Sequence, residues 1–121
     1  MIKGFENITS PLNERDRKEI APELAKLLCW RVGKSLALTN TELRAMMRSR
    51  GYHLADAKVR ALINYLRIEG KVERLVASSE GYYIAASSRE LADYCDSLRE
   101  REAAIRAVRQ ALEGQCTQSL F

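Results

Sequence analysis

The chain has 121 residues, 46% of them hydrophobic and 30% charged, with a formal net charge of +4. That size and balance suit one compact domain, or a smaller domain plus one long element, and exclude a disordered tail. No apolar run reaches the roughly 18 residues of a membrane span, so no membrane partner is expected.

The opening MIKGFENITSPL lacks a long apolar stretch with a small-residue cleavage site, which points to a cytoplasmic protein. Cys29, Cys95 and Cys116 are far apart and form no CxxC, so neither a disulfide nor a metal site is expected. His53 is the single histidine, and no Gly-rich phosphate loop, HExxH or GxSxG is present. The chain therefore reads as no enzyme and as needing no cofactor.

Residues 1–12 read as an N-terminal arm. From Asn13 the pattern turns helical, with Ile20, Leu24, Leu27, Leu28 and Val32 at spacings of three and four. Pro22 either starts the main part of this helix or kinks it, and Gly33 is the expected stop. The run SLAL then has strand character. Thr39 followed by Glu42 is a capping box, so a second helix starts there. Its apolar face is Leu43, Met46 and Met47, and Gly51 ends it. A third helix, starting at Ala55 or Asp56, carries the stripe Val59, Leu62, Ile63 and Leu66 up to Gly70.

After Gly70 the period changes to two. KVERLVAS and GYYIA read as two strands joined through Ser78, Ser79, Glu80 and Gly81. The last segment, from a cap at Ser87 or Ser88 to Gly114, reads as one long helix. Leu91, Leu98, Ile105 and Leu112 recur every seven residues, with Tyr94, Arg101 and Val108 between them. Such a stripe needs a partner, either the first helix or a second copy, and Arg101 is its one charged member. The resulting division is 13–86 for the domain, 87–114 for the helix and 115–121 for a tail.

This order resembles a winged helix-turn-helix domain, and VRALINYLR followed by EGYYIA is similar to small winged-helix proteins of phages and prophages. The implied fold class is mainly α with a small β-hairpin, followed by a long C-terminal amphipathic helix. The resemblance implies binding of double-stranded DNA by a regulator or replication accessory. In that family the third helix enters the major groove. Here its outer face would be Ala57, Ala61, Asn64 and Ile68, flanked by Arg60 and Arg67 on one side and by Lys58 and Tyr65 on the other. Ala57 and Ala61 would admit base edges, Asn64 would pair with adenine and Arg60 with guanine. Lys58 and Arg67 are placed for phosphates.

Thr39, Asn40 and Thr41 start the second helix, where free N–H groups can meet phosphates, and Arg44 and Arg48 lie along it. Arg74, Ser78 and Ser79 complete the expected DNA contacts. The wing turn offers serines and Glu80 where a groove probe would offer Lys or Arg. Charge follows the same map. Positions 1–41 have 7 basic against 5 acidic residues, 42–74 have 8 against 4, and 75–121 have 5 against 7. The basic excess thus sits on the second and third helices.

A homodimer through Leu91, Tyr94, Leu98, Arg101, Ile105, Val108 and Leu112 is expected, which in a two-fold complex would set two reading helices about 34–36 Å apart. The alternative is a protein-binding module, such as a phage-encoded adaptor or inhibitor docked on a host protein.

Overall fold

A computed structural model describes residues 12–119, with side chains as far as Cys116. The expected arm at 1–12 lies, Leu12 apart, outside the described residues. The chain divides into two units, Met1–Ala86 and Ser87–Phe121.

The first helix opens with a reciprocal cap. Asn13 N–H donates to Asp16 Oδ2 at 3.0 Å, and Asp16 N–H donates to Asn13 Oδ1 at 2.8 Å. Asp16–Ile20 then runs as a π-helical turn, closed by Ala21 N–H donating to the Asp16 carbonyl. Ala21–Leu28 continues as α1. Pro22 explains the wide turn. A proline ring inside a helix collides with the carbonyl four residues back and lacks its own N–H. Widening the preceding turn absorbs both defects without breaking the rod.

The helix stops at Leu28, short of the expected Gly33. Val32, expected on its apolar face, is instead outside it and 48% exposed. It forms a parallel bridge with Ile84. SLAL is likewise no full strand: Lys34–Leu36 is one 3-10 turn, and within SLAL only Leu38 pairs with the hairpin.

Helix α2, Asn40–Ser49, starts at the expected capping box, with Glu42 N–H on Thr39 Oγ1 at 3.1 Å and Thr39 N–H on Glu42 Oε1 at 2.9 Å. It ends as Tyr52 N–H reaches back to the Met47 carbonyl and Gly51 N–H to the Arg48 carbonyl. Helix α3, Asp56–Ile68, ends by the same motif at Gly70. Leu24, Leu28, Leu43, Met47, Val59, Leu62, Ile63 and Leu66 are fully buried among α1, α2 and α3.

Strands β1, Leu75–Ser78, and β2, Gly81–Ile84, pair antiparallel through a two-residue turn at Ser79 and Glu80. Leu38 adds a third edge: its N–H meets the Tyr82 carbonyl at 3.0 Å, and Tyr82 N–H meets the Leu38 carbonyl at 2.8 Å. The hairpin is thereby stitched to the segment between α1 and α2. Its two faces are both covered, Leu75 and Ile84 joining the main core, with Val76 and Tyr83 buried opposite.

The second unit is helix α4, Ser88–Ser119. It runs past Gly114, where a stop was expected, and takes in most of the expected tail. A single glycine costs a helix interior about 1 kcal/mol, which its helix-forming neighbours offset. No helix among the described residues is long and apolar enough to cross a membrane.

Candidate nucleic-acid interface

The outer face of α3 is built by default. Once Val59, Leu62, Ile63 and Leu66 turn inward, helical geometry turns Ala57, Arg60, Asn64 and Ile68 outward. Ala57, Arg60 and Ile68 are exposed, while Asn64 and Arg67 are half-buried. Arg60 is held along the helix by Asp56, at 2.6 Å. Ala61 departs from the expected face: it is 6% exposed, so it cannot meet a base edge without rearrangement. The stripe is wider than the a/d-type spacing suggests, and Ala61 falls inside its edge.

Lys58 also departs. Its ammonium sits 2.7 Å from Asp16 Oδ2, and Asp16 is 4% exposed. Burial pushes the Asp16 carboxyl up, but the Lys58 hydrogen bond, the Asn13 N–H and the charges of Lys58 and Arg15 outweigh it, and the net shift is downward. A phosphate contact by Lys58 would have to compete with this pair. Lys58 therefore belongs to the attachment of the first helix to α3. The sequence does carry the signal for Asp16, since Asn13-x-x-Asp16 ahead of an apolar run has the form of a cap.

At the start of α2 the Thr39 hydroxyl is occupied by the cap, and Thr41 is exposed. Asn40 Nδ2 lies 3.5 Å from the Asp56 carbonyl and 3.4 Å from Tyr82 Oη, so this amide joins the starts of α2 and α3 to the hairpin. Its Oδ1 is buried without a hydrogen-bond partner. Arg44 Nε donates to the Leu54 carbonyl at 3.0 Å, fixing the turn between the two helices. Arg48 is exposed. Arg50 is drawn to Glu23 on α1, at 2.9 Å.

The hairpin turn is closed on itself. Both Ser78 and Ser79 hydroxyls donate to Glu80 Oε2, at 3.3 and 3.1 Å, and Lys34 approaches Glu80 Oε1 at 3.4 Å. The Ser79 bond and Lys34 hold the Glu80 carboxyl below its ordinary range despite some desolvation. The two serines thus serve the turn, and its ionised acid is paired with Lys34. Arg74 is exposed with φ of 60°, in the left-handed region.

The structure thus brings together Thr39, Asn40 and Thr41 with the start of α3, and places Ala57, Arg60, Asn64 and Arg67 along one helix side. Lys58, Arg44, Ser78 and Ser79 each have a partner within the protein. Trp30, which no sequence pattern marks, is 79% exposed. It lines a surface depression with Leu36, Met46, Arg31 and Arg50. An isolated tryptophan just past a helix end carries no periodicity that would mark it. Among the described residues no group of three His, Cys, Asp or Glu could hold a metal ion. The chain matches no family model, no curated protein and no solved structure.

Proposed function

We propose that the first unit is a winged helix-turn-helix domain that binds double-stranded DNA with α3 in the major groove, and that the protein dimerises through α4. The observation that carries this reading is the third edge at Leu38. It joins the hairpin to the segment leading into α2, the arrangement in which a wing flanks two helices joined by a tight turn. Further support comes from the outward set Ala57, Arg60, Asn64 and Arg67 on α3, and from the basic excess over 42–74. On this reading Arg60 leaves Asp56 for a guanine, Asn64 reads adenine, and Arg67, Arg48 and Thr41 meet phosphates. The turn at Ser79 and Glu80 contributes shape, not a groove-inserted cation.

Fluorescence anisotropy on random duplex DNA at two salt concentrations tests it. Affinity is expected to fall steeply with salt. On a duplex selected from that pool, Arg60→Ala with Asn64→Ala is expected to weaken binding by about 30-fold or more, since each of the two bidentate base contacts is worth roughly 1–3 kcal/mol. Absence of duplex binding at low salt would overturn the DNA reading.

A second reading is favoured by Trp30. An exposed tryptophan beside Leu36, which is 45% exposed, with arginines at the edge, has the composition of a protein-binding hot spot. A partner protein that co-purifies with the wild type and is lost on Trp30→Ala, with no duplex binding, would replace the DNA reading with this one.

A further inference from the structure

On α4, Leu98, Ile105, Val108 and Leu112 are 38%, 69%, 59% and 57% exposed, whereas Leu91 and Tyr94 are half-buried. The uncovered part of the stripe therefore begins at Leu98. We propose that this part pairs antiparallel with the α4 of a second chain, in the register that sets Ile105 against the partner's Val108. This deepens the dimer of the proposed function and does not depend on DNA contacts.

The residues beside the seam choose both direction and register. Leu98, Ile105 and Leu112 occupy one core position of the heptad, with Arg101, Val108 and Gln115 at the other. The row flanking the second core position is then Cys95, Glu102, Arg109 and Cys116. The row flanking the first is Ser97, Ala104 and Ala111. In an antiparallel pair each flanking row faces its own copy reversed. With Ile105 on the partner's Val108, Glu102 falls on the partner's Arg109 and Arg109 on the partner's Glu102. Ala104 falls on the partner's Ala111, where small side chains allow close approach.

Sliding the pair by one heptad sets Glu102 on the partner's Glu102, or Arg109 on the partner's Arg109. Either choice replaces attraction by repulsion. A parallel pair sets Glu102 and Arg109 against the partner's Ser97 and Ala104, with no charge to meet. Glu102 and Arg109 are exposed, in surface pairs with Arg106 and Glu113 that cost little to exchange. Arg101 then lies over the partner's Leu112, its stem covering apolar surface and its guanidinium reaching water past the end of the seam. The overlap from Leu98 to Gln115 is roughly 27 Å of rod. The two Ser88 starts lie about 55 Å apart at opposite ends.

The cysteines give the register a direct readout. Cys95 and Cys116 are both exposed, and the same register sets Cys95 against the partner's Cys116. Within one helix the two are separated by about 31 Å, beyond the span of a short bismaleimide.

The full chain carrying Cys29→Ser, treated with such a reagent and digested for mass spectrometry, is expected to give the Cys95–Cys116 link in the dimer band. Links of Cys95 to Cys95 and Cys116 to Cys116, or no link, would overturn the antiparallel register. A monomer in sedimentation at tens of micromolar would overturn pairing itself, whatever the outcome of the DNA assay. As a second check, Glu102→Arg is expected to weaken dimerisation at least tenfold. Adding Arg109→Glu is expected to restore it to within threefold of wild type. Dimerisation unmoved by Glu102→Arg would also overturn the register.

Discussion

Gly81→Ala is expected to lower the melting temperature by roughly 15 °C or more, the equivalent of about 3 kcal/mol in a domain of this size. Two costs combine at this one residue. Its φ of 121° lies where side-chain-bearing residues are rarely found. A Cβ there would also stand 2.5 Å from the Leu38 carbonyl oxygen and 2.9 Å from the Thr39 nitrogen. Those atoms are backbone, and Leu38 is paired to Tyr82 through two hydrogen bonds, so the obstacle cannot swing aside.

Gly70→Ala separates the two costs. Its φ of 66° is also left-handed, but a Cβ there meets nothing within 4 Å. It is expected to cost about 1 kcal/mol, the price of the backbone conformation alone. Thermal melts followed by circular dichroism check both variants. Equal, small losses would show that Leu38 and the hairpin can part without consequence. The third edge at Leu38, which carries the proposed wing, would then lose its structural weight.

What could be foreseen here follows the range of the interaction. The Thr39 and Glu42 cap, the Gly51 and Gly70 stops, the stripe on α3 and the turn at Ser79 and Glu80 each depend on residues within a few positions. Local chemistry settles them. The stitching of Leu38 to Tyr82 and of Val32 to Ile84 joins segments more than forty residues apart, and SLAL alone shows only strand character. The π-helical turn ahead of Pro22 is a compromise between a proline defect and the burial of Ile20 and Leu24, and the proline alone allows a start or a kink. The outer face of α3 was legible as a side of a helix. Its edge was not: Ala61 is small enough to be enclosed, and only packing decides which marginal position is covered. Lys58 looked like a surface cation because Asp16, its partner, lies 42 positions away.

That pair yields the second large effect. Asp16→Ala is expected to cost about 2–3 kcal/mol, somewhat below the usual 3–5 kcal/mol for breaking a buried ion pair, because Lys58 keeps some solvent. The variant removes the carboxylate 2.7 Å from the Lys58 ammonium and also the acceptor for the Asn13 N–H that starts the first helix. Lys58→Met keeps the apolar stem and removes the charge. A double-mutant cycle of the two is expected to return a coupling of about 1–2 kcal/mol. Coupling near zero would return Lys58 to the set of surface cations open to phosphate.

The pH dependence has a definite sign. The folded Asp16 carboxyl lies below its ordinary value of 3.8, so folding favours the ionised form. Its contribution is full above that value and is lost as pH falls through the lowered one. Wild type should therefore lose stability below about pH 4 more steeply than Asp16→Asn, the two curves converging in acid. In the same variants, Lys58→Met is expected to leave duplex affinity within about twofold of wild type, less than the roughly 1 kcal/mol expected of a base-reading or fully engaged phosphate contact. The lysine on α3 and the arginine two residues on would then divide the helix between them, Lys58 anchoring it to the first helix and Arg60 facing the ligand.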